Sequence, residues 1–332
     1  MRVGGLARAA AVFTALIALP FVFSAPWVQD LFLFTLMYAA LATAWNIVGG
    51  YSGYISLGHA AFFGVGAYAT GITFTHISIG GGYRPFLFLP VIGVGVAIAS
   101  IPVGWIAYRT RAATFAIVTI TFLFVAQQLA FNLRSLTGGS QGIAIPTPNF
   151  AVSTYNVPFY FGMLGVLAIA LFASWWIRGS KLGLALLAIR DDEDRARGLG
   201  VQTSFAKLAS FAVSAGLVAM VGGVWAYYLS FIYPQFAVDP LVTIGMVLMV
   251  YLGGRGTLWG PVLGAFILVP AQKYLAYRLG ASDLYLVGYS SVFLVVILLM
   301  PRGILPSLAD LGRKQRLRRL PRETPAEKVV TP

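Results

Sequence analysis

Ten apolar runs follow one another along the chain, at about 10–25, 30–48, 55–75, 86–108, 112–131, 157–177, 205–229, 234–252, 258–276 and 284–300. A helix needs about 20 apolar residues to cross about 30 Å of hydrocarbon, so the runs predict an all-α polytopic membrane protein with about ten transmembrane helices. The eighth run is the shortest in effect, because Asp239 and Pro240 interrupt it. Pro20, Pro90, Pro102 and Pro270 fall inside other runs, where packed membrane helices tolerate proline. The first run also has the features of a signal peptide, with Arg2 and Arg8 before an apolar stretch ending in Phe23, Ser24 and Ala25. Cleaved or retained, it delivers the chain to the outer side at Pro26.

Between the sixth and seventh runs the pattern reverses. Segment 181–201 reads KLGLALLAIRDDEDRARGLGV, and seven of the eight residues at 190–197 are charged. A mid-membrane Arg or Asp costs roughly 2.5–3.5 kcal/mol on insertion scales, so this island faces water. Inside it Leu182, Ala185, Leu186 and Ile189 form an apolar stripe at helical spacing, and Gly198 and Gly200 can end the helix. Two readings stand: a helix lying along the membrane with one face buried, or a docking helix that fits a groove in a soluble partner.

Composition agrees with the pattern. Of 332 residues 59% are hydrophobic and 10% charged, against about 25% charged in soluble domains; the mean hydropathy is +0.83. There is no cysteine, which excludes a disulfide framework and a thiolate metal site. The net charge of +13 gathers partly in a basic tail over 302–332, read as a cytoplasmic segment beside anionic membrane lipid and not as a nucleic-acid site. Cytoplasmic loops carry the excess of Lys and Arg. With the N-terminus inside, all but Arg84, Arg134, Lys273 and Arg278 of the 23 basic residues fall inside. That predicts cytoplasmic N- and C-termini, a transmembrane domain over 1–301, and a cytoplasmic loop at 178–204 carrying the island. The longest outer connection, about 132–156, holds Thr137-Gly138-Gly139-Ser140-Gln141-Gly142, Pro146 and Pro148, a turn-rich loop open to an extracytoplasmic partner or serving only as a connector.

The absent chemistry is informative. All ten acids lie at span ends, in the island or in the tail, so there is no carboxylate relay of the kind a proton-driven transporter uses. No lysine follows a glycine, so a phosphate loop is missing and any ATP is bound by another subunit; no cofactor is expected for this chain itself. No paired carboxylates or HExxH motif mark a catalytic or metal site, and the chain is expected not to be an enzyme. Two glycine-rich stretches remain. NIVGGYSGYISLGHAAFFGVGAYATG from 46 breaks the second and third runs at Gly49, Gly50 and Gly53, and small residues such as Ala60 and Gly64 recur at four-residue spacing. Broken helices can border a translocation path or serve only packing and a turn. Asn46, Ser52, Ser56 and His59 are the polar groups placed to meet a passing solute. The second stretch, YLGGRGTLWGPVLGAF from 251, carries Gly260 and Gly264 at the same spacing.

Six pieces taken together resemble a known family: GYSGYISLGHAAFFGVGAY at 50–68, FAIVT at 115–119, LTGGSQGI at 136–143, LALLAIRDDEDRARGLGV at 184–201, YLGGRGTLWGPVLGA at 251–265 and PRGIL at 301–305. In this order and spacing the chain resembles the permease subunits of branched-chain amino acid ABC importers, LivM type. The resemblance implies a type II ABC importer-like fold with inverted repeats of about spans two to five and seven to ten. It implies that the island is the loop docking on an ATPase, with Ala188, Arg190, Asp192, Glu193 and Gly200 in the coupling surface. It also implies a second, LivH-like permease, two cytoplasmic ATP-binding subunits and an extracytoplasmic solute-binding protein, in a bacterial plasma membrane. Branched-chain or related hydrophobic amino acids are the implied cargo, and related permeases carry urea, short amides or aromatic acids. The family usually has small residues where this chain has Arg195 and Arg197. Read from the residues alone, an autonomous channel is the rival, and it has no need of the island.

Overall fold

The computed structural model describes residues 3–76, 82–279 and 303–308, with 287, 291, 294 and 298 singly, and side chains from residue 10 onward. Its helices are α1 (Val3–Val22), α2 (Pro26–Gly49), α3 (His59–His76), α4 (Arg84–Ala107), α5 (Ala112–Asn132), α6 (Arg134–Thr137), α7 (Asn156–Gly179), α8 (Lys181–Asp191), α9 (Glu193–Gly198), α10 (Thr203–Leu229), α11 (Pro234–Ala237), α12 (Pro240–Gly253) and α13 (Gly260–Leu279). Among the described residues six helical stretches are long and apolar enough to cross a membrane: Pro26–Gly49, Arg84–Ala107, Ala112–Asn132, Val152–Gly179, Thr203–Leu229 and Pro234–Gly253. Helices α1, α3 and α13 coincide with predicted runs but fall short of that measure. The apolar part of α1 is the shorter Ala10–Val22, α3 is long enough at 18 residues but is diluted by His59, His76 and its threonines, and α13 carries Lys273 and Arg278. The tenth run lies almost wholly outside the described residues, as does the tail beyond 308. The third run begins at His59 and not at 55, because 50–58 is a non-helical segment. The eighth is split at Asp239, whose carboxylate accepts the Leu241 N–H at 2.8 Å and so starts α12 afresh after α11.

Burial ranks the helices. Four-fifths of the apolar window in α2 and in α10 is buried (78% each), against 22% in α4 and α5. Helices α2 and α10 therefore form the centre: α10 packs on α2, α3 and α4, and α2 on α7, α12 and α13. Small residues make this possible. A side chain at Gly66 would lie 2.1 Å from the Ala219 carbonyl oxygen, and one at Gly222 would lie 2.1 Å from that of Phe63, so α3 and α10 touch backbone to backbone. The outward faces of α4 and α5 carry Leu87, Val91, Ile98, Ile117 and Phe124, side chains suited to hydrocarbon.

The two ends of the bundle differ. At one, the loop between α5 and α7 is tied down by a two-residue antiparallel pairing, β1 (Ile143–Ala144) with β2 (Phe231–Ile232). Thr137 Oγ1 donates to the Ala130 carbonyl at 2.7 Å and the Tyr155 hydroxyl to that of Tyr228 at 2.7 Å. The turn-rich loop predicted over 132–156 is thus ordered against the end of α10. Lys273 and Asp30 form an ion pair at this end, with the Tyr228 hydroxyl 3.2 Å from Asp30. The other end gathers the island and both glycine-rich turns.

Candidate functional site

The site is assembled around α2's C-terminal turn. The Asn46 amide reaches across to the second glycine-rich turn, donating to the Thr257 carbonyl at 2.9 Å and accepting from the Gly256 N–H at 3.0 Å. A single side chain thereby satisfies two backbone groups of a half-buried turn. After Gly50 the chain turns at Gly53, whose φ of +82° suits glycine, and returns to α3. Ser52 Oγ donates to the Val48 carbonyl at 2.8 Å, and Trp45 Nε1 donates to that of Ser56 at 2.8 Å. His59 Nδ1 sits 2.8 Å from Ser56 Oγ and its Nε2 sits 2.9 Å from Ser214 Oγ, which itself donates to the Ala44 carbonyl. All four predicted solute-facing residues, Asn46, Ser52, Ser56 and His59, are at most 1% exposed, and each has a partner within the chain.

The island forms two helices where one was expected. Ser180 caps α8, and the stripe turns inward as expected: Leu186 and Ile189 are buried and Leu182 and Ala185 half-buried, against α7 and α10. Asp192 breaks the run with extended backbone (φ −162°, ψ 111°), and its carboxylate accepts the Arg195 N–H at 3.0 Å to start α9. Glu193 and Asp194 then fill the first turn and Arg195 and Arg197 the last, matching the helix dipole. Gly200, at φ +84°, turns the chain toward α10.

Two of the charges point at the body of the protein. Arg190 Nη1 donates to the Gly50 carbonyl at 3.0 Å. Glu193 takes a 2.7 Å ion pair from Lys207, a hydrogen bond from the Tyr54 hydroxyl and one from Arg197 at 3.2 Å. Lys207 is only 3% exposed at its side chain. Its ammonium lies 4.6 Å from the Tyr54 ring centre and 5.2 Å from that of Tyr108. Burial works against ionisation of Glu193, but the hydrogen bonds from Lys207 and Tyr54 outweigh it and hold the carboxyl below its ordinary range. Gly303, from the last of the six motifs, joins the same end, where it packs directly on Gly254.

Of the five predicted coupling residues, the structure turns Arg190 and Glu193 onto the body, makes Asp192 and Gly200 the shape of the segment, and half-covers Ala188. Arg190 and Gly200 stay exposed, as do groups not predicted: Leu184 at 66% and Leu199 at 86%, with Asp191, Asp194 and Arg195. Sequence reasoning also missed Lys207 and Tyr54. A lone lysine at the head of an apolar run was the available signal for Lys207, since such a charge needs a partner. Among the described residues no group of three or more His, Asp or Glu is placed to hold a metal ion.

Six helical stretches able to span a membrane, among the described residues, with a charged helix pair at one end, define a polytopic membrane protein. The family model described as branched-chain amino acid transport system / permease component matches residues 27–301, and the chain belongs to that family. It is therefore a transport component, not an enzyme. It is 29% identical over 325 residues to the high-affinity branched-chain amino acid transport system permease protein LivM of Escherichia coli (strain K12), covering 89% of this chain and 74% of that protein. To the corresponding permease protein LivH of Salmonella typhimurium it is 24% identical over 286 residues, 81% of this chain and 91% of that one. A shorter match, 29% identity over 150 residues and 42% of each chain, links it to the autoinducer 2 import system permease protein LsrC of Salmonella paratyphi B. No solved structure matches the chain.

Proposed function

We propose that this protein is one membrane half of an ATP-driven importer of branched-chain or related hydrophobic amino acids in the bacterial inner membrane. It pairs with a second, LivH-like permease, two cytoplasmic ATP-binding subunits and an extracytoplasmic solute-binding protein. It binds no nucleotide or other cofactor itself. Its fold is type II ABC importer-like, with about ten spans and both termini cytoplasmic. The observation that carries this reading is the helix pair α8–α9, held to the bundle by Leu186, Ile189 and Ala196 while Leu184 in α8 and Leu199 just after α9 are exposed. Exposed leucines amid charges on an anchored segment are side chains a soluble partner covers. The segregation of basic residues supports the orientation: Arg109, Arg111, Arg178 and Arg255 share the island's end of the bundle, and Arg84, Arg134, Lys273 and Arg278 fall toward the opposite one.

In this mechanism ATP-driven movement of the partner ATPases presses on Ala188, Arg190, Asp192, Glu193 and Gly200 and rocks the bundle as a rigid body. Asn46, Ser52, Ser56 and His59 border the path; their internal hydrogen bonds would have to open to greet a solute. Specificity for the amino acid rests mainly with the binding protein, since few polar groups converge in the bundle. The test is uptake of labelled leucine by proteoliposomes holding this chain and its neighbouring gene products. Uptake that requires both ATP and the ATPases is expected. Leucine flux through the chain alone would sink the proposal in favour of a channel.

A further inference from the structure

We propose that Lys207 is the positioning residue through which motion of the coupling segment reaches the membrane helices, with its pairing to Glu193 as the mechanical tie. The inference rests on the ATPase-driven reading above and extends it to residues within the bundle. Helix α8 meets the body through an apolar stripe, which permits sliding, and through one directional bond, from Arg190 to the Gly50 carbonyl at the end of α2. Helix α9 has one buried side chain, Ala196, and its directional attachment is the Glu193 carboxylate. That carboxylate meets an ammonium on the first turns of α10, the helix that packs on α2, α3 and α4. The same ammonium lies within reach of the Tyr54 hydroxyl, 3.3 Å away, and of the Tyr108 ring. Tyr54 belongs to the segment joining α2 to α3, and Tyr108 to the turn joining α4 to α5. One buried cation therefore connects the island to every connection at this end of the α2–α5 unit.

Stability alone does not account for the arrangement. Buried ion pairs are poor stabilisers relative to apolar side chains of similar volume, and their best-attested use is to fix one register between elements. A pair that fixes register also transmits displacement, because it holds only when both elements move together.

The chain has no cysteine, so introduced thiols are unique labels. Spin labels at Leu129→Cys and Leu229→Cys, both exposed at the end of the bundle remote from the island, report whether α5 and α10 move apart. The measurement uses the complex of this chain with its permease and ATPase partners, with and without Mg-ATP. The expected result is an ATP-dependent shift in the distance distribution that is lost in Lys207→Met. That variant touches none of the coupling residues, and it leaves Glu193 partly exposed and still paired with Arg197, so it is expected to keep the ATPase bound and hydrolysing. Lys207→Arg, which keeps the cation, should keep the shift. An unchanged shift in Lys207→Met, no shift in the parent complex, or loss of the ATPase from Lys207→Met would each overturn the proposal. A parent complex that shows the shift but takes up no leucine would instead overturn the substrate reading and leave this one standing.

Discussion

Glu193 shows how much one side chain can hold together. It faces a lysine that is 3% exposed and is itself 20% exposed, so removing its charge strands a buried ammonium. Breaking a buried pair from one side destabilises by about 3–5 kcal/mol, and the partial exposure of Glu193 puts Glu193→Gln near 3 kcal/mol. The pH dependence has a definite sign. Because the folded carboxyl titrates below its ordinary value of 4.5, the pair's contribution is complete above that value and is lost as pH falls through the folded one. Melting of the purified chain should therefore show a gap between parent and variant at neutral pH that closes on acidification. A gap independent of pH would remove ionic pairing as its cause. Asn46 has a comparable role without charge: its two bonds to the Gly256–Thr257 turn explain why a short amide sits at the end of an otherwise apolar helix.

At the scale of elements, the island is two faces with different jobs. The stripe of Leu182, Ala185, Leu186 and Ile189 was legible from its spacing and does lie against the bundle. The break at Asp192 was not, because a run of helix-compatible charged residues gives no period to interrupt. Asp, a good cap, competed with helix continuation and won once Glu193 could reach Lys207. Leu184 and Leu199 stay outside. Changing both to Asp should weaken co-purification of the ATPase by about tenfold or more, since losing even one buried leucine contact is worth about 1.5 kcal/mol. Expression and melting of the chain should be unaffected, because neither side chain contributes to its core. Retained binding would place the docking surface elsewhere.

For the whole molecule, orientation is the open quantity that a simple labelling experiment answers. Val152, 96% exposed in the loop before α7, and Leu199, 86% exposed in the island, lie at opposite ends of the bundle. As single cysteines in a cysteine-free chain, Val152→Cys should react with a membrane-impermeant maleimide on intact cells, and Leu199→Cys only in inside-out vesicles. The reverse pattern would invert the topology and place the island away from any cytoplasmic ATPase.

Local pattern alone determined that this chain is a polytopic membrane protein and that one charged segment interrupts its apolar runs, six of which recur among the described residues as helical stretches long enough to cross a membrane. Those properties follow from hydropathy summed over about 20 neighbours, which needs no knowledge of the fold. The family was readable too, from six short motifs spread along the chain, five of which have described residues gathered at one end. Only tertiary structure decided that Asn46 clamps a turn more than 200 positions away, that Glu193 belongs with Lys207 and Tyr54, and that α2 and α10 are central while α4 and α5 are not. Pairings of that kind depend on which helices meet and at what height. Those are set by close backbone approach at residues such as Gly66 and Gly222, and hydropathy does not encode them.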